Sequence, residues 1–475
     1  MGNAQSPPAD PRFASASRAF AEKELEELRS VFASLAAQSQ SNGQYISPSV
    51  FKTYFGLRGP LGDRMFDLVS QQRKDQRLTF QDLVIAKGTY EKGTKDEIEE
   101  FIYHLIDVSG DGVLGRSDLE AVLIAMYETV FFVKDSEHGS SSHKGIGDIF
   151  LNAATFSTHV DGCAEKCMSL EDFRNWCTLV PSVRKFLGSL LMPPDPGRPG
   201  SQVPYLQHWE SVDPNMVLLR KEYAWHIGGA LSQQELEEWK LLYHSAYNGQ
   251  SFNTFLGNIS FEANYVFFSR INHVAYILQK LFMVAPSLYH VFFVLALGNA
   301  KFVLKKKNES GGFRNEDGPT VLIIKDKEGY IYGGYASQRW DRHSDFYGDM
   351  KSFLFQLYPK VSIFRPSGAN SNIQWCAVNF SSEDIPNGIG LGGQANHFGL
   401  FLSASFDQGH TFNCTTFGSP CLSKTSRICP EVIECWRVVP KGAQRRHDAV
   451  KGTVLERFKE DRHMLNMVGL ANSSE

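Results

Sequence analysis

Two hydrophobic periods divide this chain. Over residues 21–37, Leu25, Leu28, Val31, Phe32 and Leu35 fall on one side of a predicted helix. Ile98, Phe101, Ile102, Leu105 and Ile106 make a second such stripe. Leu119, Val122, Leu123, Met126 and Val130 make a third. A fourth short apolar helix is expected at 49–55. From residue 320 the period shortens to that of strands. Residues 321–325 and 330–335 are β-rich runs about a turn at 326–329, which predicts a hairpin. Further strands are expected at 353–358, 374–380, 399–406 and 434–439. Between the two regimes, 192–204 (MPPDPGRPGSQVP) reads as a Pro/Gly linker. Residues 214–223 and 232–247 are expected to be helical. The second would open with the Ser232/Glu235 capping box and present Leu236, Trp239, Leu242 and Tyr243 on one face.

The stretch between the second and third helical stripes carries candidate chemistry. Residues 107–118 read DVSGDGVLGRSD, close to the calcium-loop pattern D-x-[DN]-x-[DN]-G-x₅-E. Asp107, Ser109 and Asp111 fall at positions 1, 3 and 5, and the Val113 carbonyl at position 7. Gly112 supplies the sharp turn, Leu114 the apolar residue that faces a partner loop, and Asp118 closes the loop at position 12. Hard oxygen donors between two amphipathic helices suit Ca²⁺. Asp118 is one methylene shorter than Glu, Ser109 is neutral and Gly115 has no side chain. The expected site is therefore weak and tolerant of Mg²⁺; the alternative is the same fold holding no ion.

Residues 43–46, 74–82 and 161–173 repeat the helix–loop–helix outline without a full ligand set. In the second, Gln71 and Arg73 stand where ligands belong, Leu78 and Thr79 read as a short strand and Asp82 closes. Residues 20–185 thus read as four units in two pairs, with only the third equipped for metal. His159, Cys163, Cys167 and Cys177 could be read as a zinc set, but their spacing fits no usual zinc pattern.

Composition narrows the picture. Forty-two per cent apolar and 21% charged residues are values of an ordinary globular protein, and a net charge of −4 gives no reason to expect nucleic acid as a partner. Eight cysteines in 475 residues suggest free thiols in a reducing compartment. The polar, Pro-rich start is not expected to be a secretory segment. It reads MGNAQS, which fits the myristoylation pattern with Gly2 as acceptor. A single acyl chain would bind a membrane only marginally and reversibly.

No catalytic set stands out. Ser403, Ser405, His397, His410 and Asp407 lie close in sequence, but no G-x-S-x-G elbow is present. The glycine run at 388–393 lacks the lysine of a phosphate loop. A lone peroxide-reactive thiol such as Cys376 or Cys414 is the alternative, which would make the chain a thiol-dependent antioxidant enzyme.

Residues 232–259 and 319–439 resemble the TLDc family. The resemblance is carried by the 239–243 segment, Gly249-Gln250-Ser251-Phe252, Gly318-Pro319-Thr320, and Gly333-Gly334-Tyr335-Ala336-Ser337 with Trp340. It continues in PNGIGLGGQANHFGLF at 386–401, Asp407-Gln408-Gly409-His410, Thr416-Phe417-Gly418-Ser419-Pro420 and Glu434-Cys435-Trp436. The whole layout is similar to TLDc proteins of plant type that carry EF-hands, and to the myristoylated fungal and animal ones. Gly390, Gly392, Gly393, Gln394, Glu434 and Trp436 are family-motif positions. The glycines read as structural and Trp436 as packed inside; Gln394 and Glu434 read either as a buried pair or as a binding surface.

One stretch departs from the family. About fifty extra residues at 261–309 form an atypical insert, containing twenty residues (281–300) without Asp, Glu, Lys or Arg. A membrane span there would split one module across a bilayer, so an insert is the favoured reading.

The resemblance implies a multidomain α+β protein: an N-terminal all-α EF-hand-like region, then a TLDc antiparallel β-sandwich with flanking helices. The expected layout is an N-terminus at 1–19, the helical region at 20–185, a linker at 186–213, the TLDc domain at 214–439 and a charged tail at 440–475. It further implies a non-enzymatic adaptor acting in oxidative-stress resistance by binding the cytosolic sector of the vacuolar proton pump (V-ATPase). The expected location is cytoplasmic, peripheral on a vacuolar or endolysosomal membrane, with the nucleus as a further compartment. In this reading Ca²⁺ repacks helices 94–132 and alters access to the TLDc surface.

Overall fold

The computed structural model describes residues 10–39, 43–73, 75–131, 142–159, 165–195, 197–210, 212–259, 318–382 and 384–440. Gly2, the 261–309 insert, Cys163 and the 440–475 tail beyond its first residue therefore lie outside the described residues.

The first part is helical: α1 (Pro11–Ser17), α2 (Glu22–Gln38), α3 (Pro48–Phe55), α4 (Gly59–Val69), α5 (Phe80–Lys92), α6 (Lys95–Ile106), α7 (Arg116–Phe131), α8 (Ser142–Leu151), α9 (Leu170–Leu179) and α10 (Pro181–Leu187). Local chemistry sets several starts. Thr79, Thr94 and Ser169 cap α5, α6 and α9 by accepting the N–H groups of Asp82, Glu97 and Asp172, and donate their own backbone N–H groups to the carboxylates of those residues, so orphan N–H groups are satisfied on both sides. The loops face each other in pairs. Ile46 and Leu78 exchange N–H···O bonds of 2.9 and 3.2 Å, and Met168 N donates to Leu114 O at 2.9 Å. Each of these four side chains is buried, so the apolar residue of each loop anchors the next.

The second part begins with β1 (Tyr205–Gln207), α11 (Lys221–Gly228), β2 (Glu238–His244), α12 (Ser245–Asn248) and α13 (Phe252–Ile259). The strands that follow are β3 (Thr320–Asp326), β4 (Ile331–Ala336), β5 (Phe353–Tyr358), β6 (Ser362–Phe364), β7 (Gln374–Ala377), β8 (Gly388–Gln394), β9 (His397–Ser403), β10 (Gly409–His410), β11 (Arg427–Ile428) and β12 (Pro430–Val439). Two sheets form, β1-β2-β12-β3-β4-β5-β6 and β11-β10-β9-β8-β7. The β1/β2 pair is parallel and the other pairs are antiparallel. Leu322, Ile324, Tyr332 and Leu354 of the large sheet pack against Ile389, Leu391, Leu400 and Leu402 of the small one. On its other face the large sheet packs Val321, Ile323, Phe353 and Trp436 against Ala224 and Ile227 of α11. Burial on both faces explains why β3 reads as a continuous apolar run rather than an alternation.

Two sequence expectations fail. Residues 232–247 are not a helix: the capping box at Ser232 opens a single turn at Gln233–Leu236, and Glu238–His244 is a strand paired with β1 and β12. Apolar residues at 236, 239, 242 and 243 fit a helix, but those at 239, 241 and 243 fit a strand equally well. Sheet pairing on both edges decided between them. The helix expected at 214–223 is a short 3₁₀ turn, Pro214–Met216, with α11 starting later at Lys221. The 186–213 linker is anchored to the helical core rather than free. Phe186, Leu187, Leu190 and Leu191 are buried in the helical core, and the buried Arg198 donates to Ser189 O and Phe55 O at 3.1 and 3.0 Å. Sequence punctuation showed where helices stop, not whether the stretch packs.

The two parts share a core. Trp225 of α11 and Val361 belong to the same buried cluster as the helices, and Val361 N donates to Ile149 O at 3.1 Å.

Candidate functional site

Loop 107–118 runs from the end of α6 to the start of α7. Gly112 takes φ 84°, as the sharp turn requires. Asp107 and Asp118 are buried, at 2% and 6% exposure. Asp107 Oδ1 accepts Gly110 N (2.8 Å) and Ser109 Oγ (3.1 Å); its Oδ2 accepts Gly112 N (3.1 Å) and Arg64 Nη2 (3.2 Å). Asp118 Oδ1 accepts Ser109 N at 3.0 Å and Oδ2 accepts Gly115 N at 3.1 Å. Asp111 Oδ1 accepts Val113 N at 2.8 Å.

The donor chemistry suits a hard cation: two buried carboxylates are linked through Ser109, and Asp111 sits in the same turn. In this conformation the carboxylates are held by backbone N–H groups and Arg64, and among the described residues no three His, Cys, Asp or Glu side chains converge as a metal-holding group. Asp107, Ser109, Asp111, Asp118 and the Val113 carbonyl would supply the ligands.

Helix α7 links this loop to the sandwich. It spans 16 residues, about 24 Å at 1.5 Å per residue. Asp118 lies in its first turn. Near its far end Tyr127 Oη donates to Glu222 Oε1 of α11 at 3.1 Å, and the Phe131 ring meets Trp225 edge-on at 5.9 Å. Phe150 contacts both Trp225 and His226. An open cavity of about 640 Å³ lies where α7 ends, lined by Val130, Phe131, Val217, Leu219, Arg220 and Trp436 among others.

Glu434 holds one wall of that cavity. It is fully buried in β12, and its carboxylate accepts Leu218 N (2.5 Å), Leu219 N (3.2 Å) and Trp436 Nε1 (2.8 Å). His244 Nε2 stands 3.6 Å away. Burial pushes the Glu434 carboxyl up to about 7, against the opposing effect of those hydrogen bonds. Burial also lowers the His244 pKa. His244 Nδ1 accepts Ala246 N, which leaves the proton of the neutral ring on Nε2. So Glu434 fixes residues 218–219 ahead of α11 and does not pair with Gln394. Gln394 is exposed at the end of β8, in register with His397 of β9 in the other sheet.

The glycine motif is a strand rather than a loop. A side chain at Gly390 would meet Phe398 and Phe401, and one at Gly392 would meet Cys414 and Phe417. Gly393 combines φ 90° with a His397 carbonyl oxygen 2.3 Å from where its Cβ would stand. Glycine is depleted in strands, so this run carries no strand signal in the sequence. Trp436 is fully buried.

The other candidates do not assemble. Cys167 and Cys177 are buried while His159 is exposed. Ser403, Ser405 and Asp407 bond one another on an exposed turn, but His397 stacks on Phe412 and His410 on Phe401. Cys376 is fully buried with its thiol pushed up to about 12 by burial, and Cys414 is 3% exposed. Arg64, Tyr127, Glu222, Trp225 and His244 act at or around the site without having been singled out. Arg64 precedes Asp107 by 43 residues, and no local pattern joins them.

Residues 213–439 thus form a double-sheet sandwich with crowded glycines in its strands and a buried carboxylate in its last strand. The family model of the TLDc domain matches residues 213–439, so this part of the chain is a TLDc domain. It is similar to the MTOR-associated protein MEAK7 of Danio rerio, 37% identical over 155 residues, covering 32% of this chain and 34% of that protein. Nuclear receptor coactivator 7 of Mus musculus is 33% identical over 120 residues, or 25% of this chain and 12% of that protein. Oxidation resistance protein 1 of Bos taurus is 31% identical over 120 residues, or 25% and 13%. The matched region thus spans about a third or less of these relatives' own lengths.

Proposed function

We propose that this chain is a non-catalytic, protein-binding regulator whose TLDc domain is the docking module and whose loop 107–118 takes a weakly held Ca²⁺ or Mg²⁺ as input. The observation that supports it best is the continuity of α7, with Asp118 at one end and the Tyr127–Glu222 and Phe131–Trp225 contacts near the other. An ion drawing Asp118 inward would move the first turn of α7, and a rigid helix would pass that movement to α11. The relatives' names, one MTOR-associated and one an oxidation resistance protein, support a role in protein association and oxidative-stress resistance. The V-ATPase cytosolic sector is the proposed partner, on the family resemblance. Gly2 acylation would give reversible contact with a vacuolar or endolysosomal membrane from the cytoplasm.

The test is affinity capture with the full chain from lysate, with and without Ca²⁺, for wild type and Asp107→Ala. V-ATPase subunits retained in a Ca²⁺-dependent way by wild type alone would support the proposal. Calorimetry showing identical heats for the two proteins would remove the sensor half. Peroxide turnover abolished by a Cys→Ser change would point to an enzyme instead.

A further inference from the structure

We infer that Arg64 is a tethered cation that sets the ion affinity of loop 107–118 by competing with the divalent ion for the charge of Asp107. This rests on the cation-loop reading above.

Arg64 comes from α4, in a different helix–loop–helix unit, and its side chain is only 11% exposed. Nε donates to His104 O at 3.0 Å, a carbonyl in the last turn of α6, and Nη2 donates to Asp107 Oδ2 at 3.2 Å. The guanidinium lies over Gly110, where a Cβ would be 3.2 Å from Nη1. It is thus seated on the negative end of a helix and on a carboxylate at once.

All the acceptor capacity of Asp107 is in use. Each oxygen takes two bonds: Gly110 N and Ser109 Oγ on one, Gly112 N and Arg64 Nη2 on the other. An arriving dication meets a carboxylate whose charge is already balanced, with a fixed positive group beside it. The three other partners are neutral and local. Arg64 is the one whose charge opposes the ion and which reaches the loop from another helix on a long side chain.

The second loop shows the same device carried to completion. Arg73, at its third position, donates to Asp82 at its twelfth at 3.1 Å. There the guanidinium comes from within the loop, in a loop without carboxylates at positions 1 and 3. In the third loop it comes from a neighbouring helix and the ligands remain, so it can be displaced.

The test is calorimetric titration of Ca²⁺ into the full chain as wild type, Arg64→Gln, Arg64→Met and Asp107→Asn, with far-UV circular dichroism in chelator to confirm folding. Arg64→Met preserves packing should the Gln variant fold poorly. Removing the charge should tighten Ca²⁺ binding by about tenfold or more at unchanged stoichiometry, while Asp107→Asn should lose it. Equal or weaker binding by both Arg64 variants, with wild type still binding, would overturn the competition and leave the cation loop standing. No uptake by any variant at about 10 mM Ca²⁺, beyond the weakest range of such loops, would overturn both.

Discussion

The Tyr127 hydroxyl on α7 donates to the Glu222 carboxylate on α11 at 3.1 Å, joining the helical part to the sandwich through two side chains. Burial and the neighbouring carboxylate push the Tyr127 phenol up to about 12. Tyr127→Phe keeps the ring against Phe131 and removes only the donor. It should lower unfolding free energy by about 1–2 kcal/mol, as a hydrogen bond to a charged acceptor does. Urea denaturation of the two proteins checks this. A difference within error would mean the bond holds nothing together.

Trp225 sits at the same junction, buried, touching Phe131 and Phe150, with Nε1 donating to Gly200 O at 2.8 Å. Trp225→Ala should cost about 3–5 kcal/mol. Because one core runs through both parts, helical circular dichroism and tryptophan fluorescence should report one coincident transition in the wild type. Two separated transitions would show that the parts fold independently.

Glu434 predicts a pH dependence. Its carboxyl titrates near 7 when folded against an ordinary 4.5, so the protonated form is the one the fold favours. Its contribution is therefore complete below about 4.5 and is lost as pH rises through about 7, worth at most about 3 kcal/mol. His244, kept neutral by burial, gives the opposite slope as pH falls below its usual 6.5. Comparing wild type with Glu434→Gln isolates the first effect. The variant should be less stable, with an amide facing N–H donors, but should lose the decline between pH 5 and 8 in denaturant titrations. A parallel pair of pH profiles would refute the assignment.

Gly393 faces a His397 carbonyl oxygen at φ 90°, where a Cβ is both strained and crowded. Gly393→Ala should destabilise the β8–β9 hairpin by about 2–3 kcal/mol. Thermal melting and amide exchange across 388–403 would read it. Unchanged protection there would show that the hairpin can adapt.

Thiol reactivity should follow burial. Cys429 is exposed, whereas burial pushes Cys177, Cys376 and Cys435 up to about 12. Iodoacetamide labelling of the native protein, read by mass spectrometry, should modify Cys429 well before those three. Early labelling of Cys376 would revive the peroxide-reactive reading.

What the sequence determined by itself was local. β-rich runs and three-to-four-residue periods placed α2, α3, β3, β4 and β5 within a residue or two and α6 and α7 within about three, because each keeps one apolar pattern long enough to be unambiguous. The oxygen donors of loop 107–118 were legible for the same reason: they are twelve consecutive residues with a fixed spacing. The tertiary structure decided whatever depended on partners distant in the chain. Glu238–His244 carries two periods and became a strand only because β1 and β12 flank it. The glycine run became a strand in which Phe398 and Phe401 occupy the space where side chains at Gly388 and Gly390 would stand, which no propensity foretells. The 186–213 stretch became a packed strap because the helical core took in Phe186, Leu190 and Arg198. Arg64 on Asp107, Tyr127 on Glu222 and Glu434 on Leu218 join residues 43, 95 and 216 positions apart. Spacing in a chain carries no record of such contacts; only folding brings those charges and donors within reach.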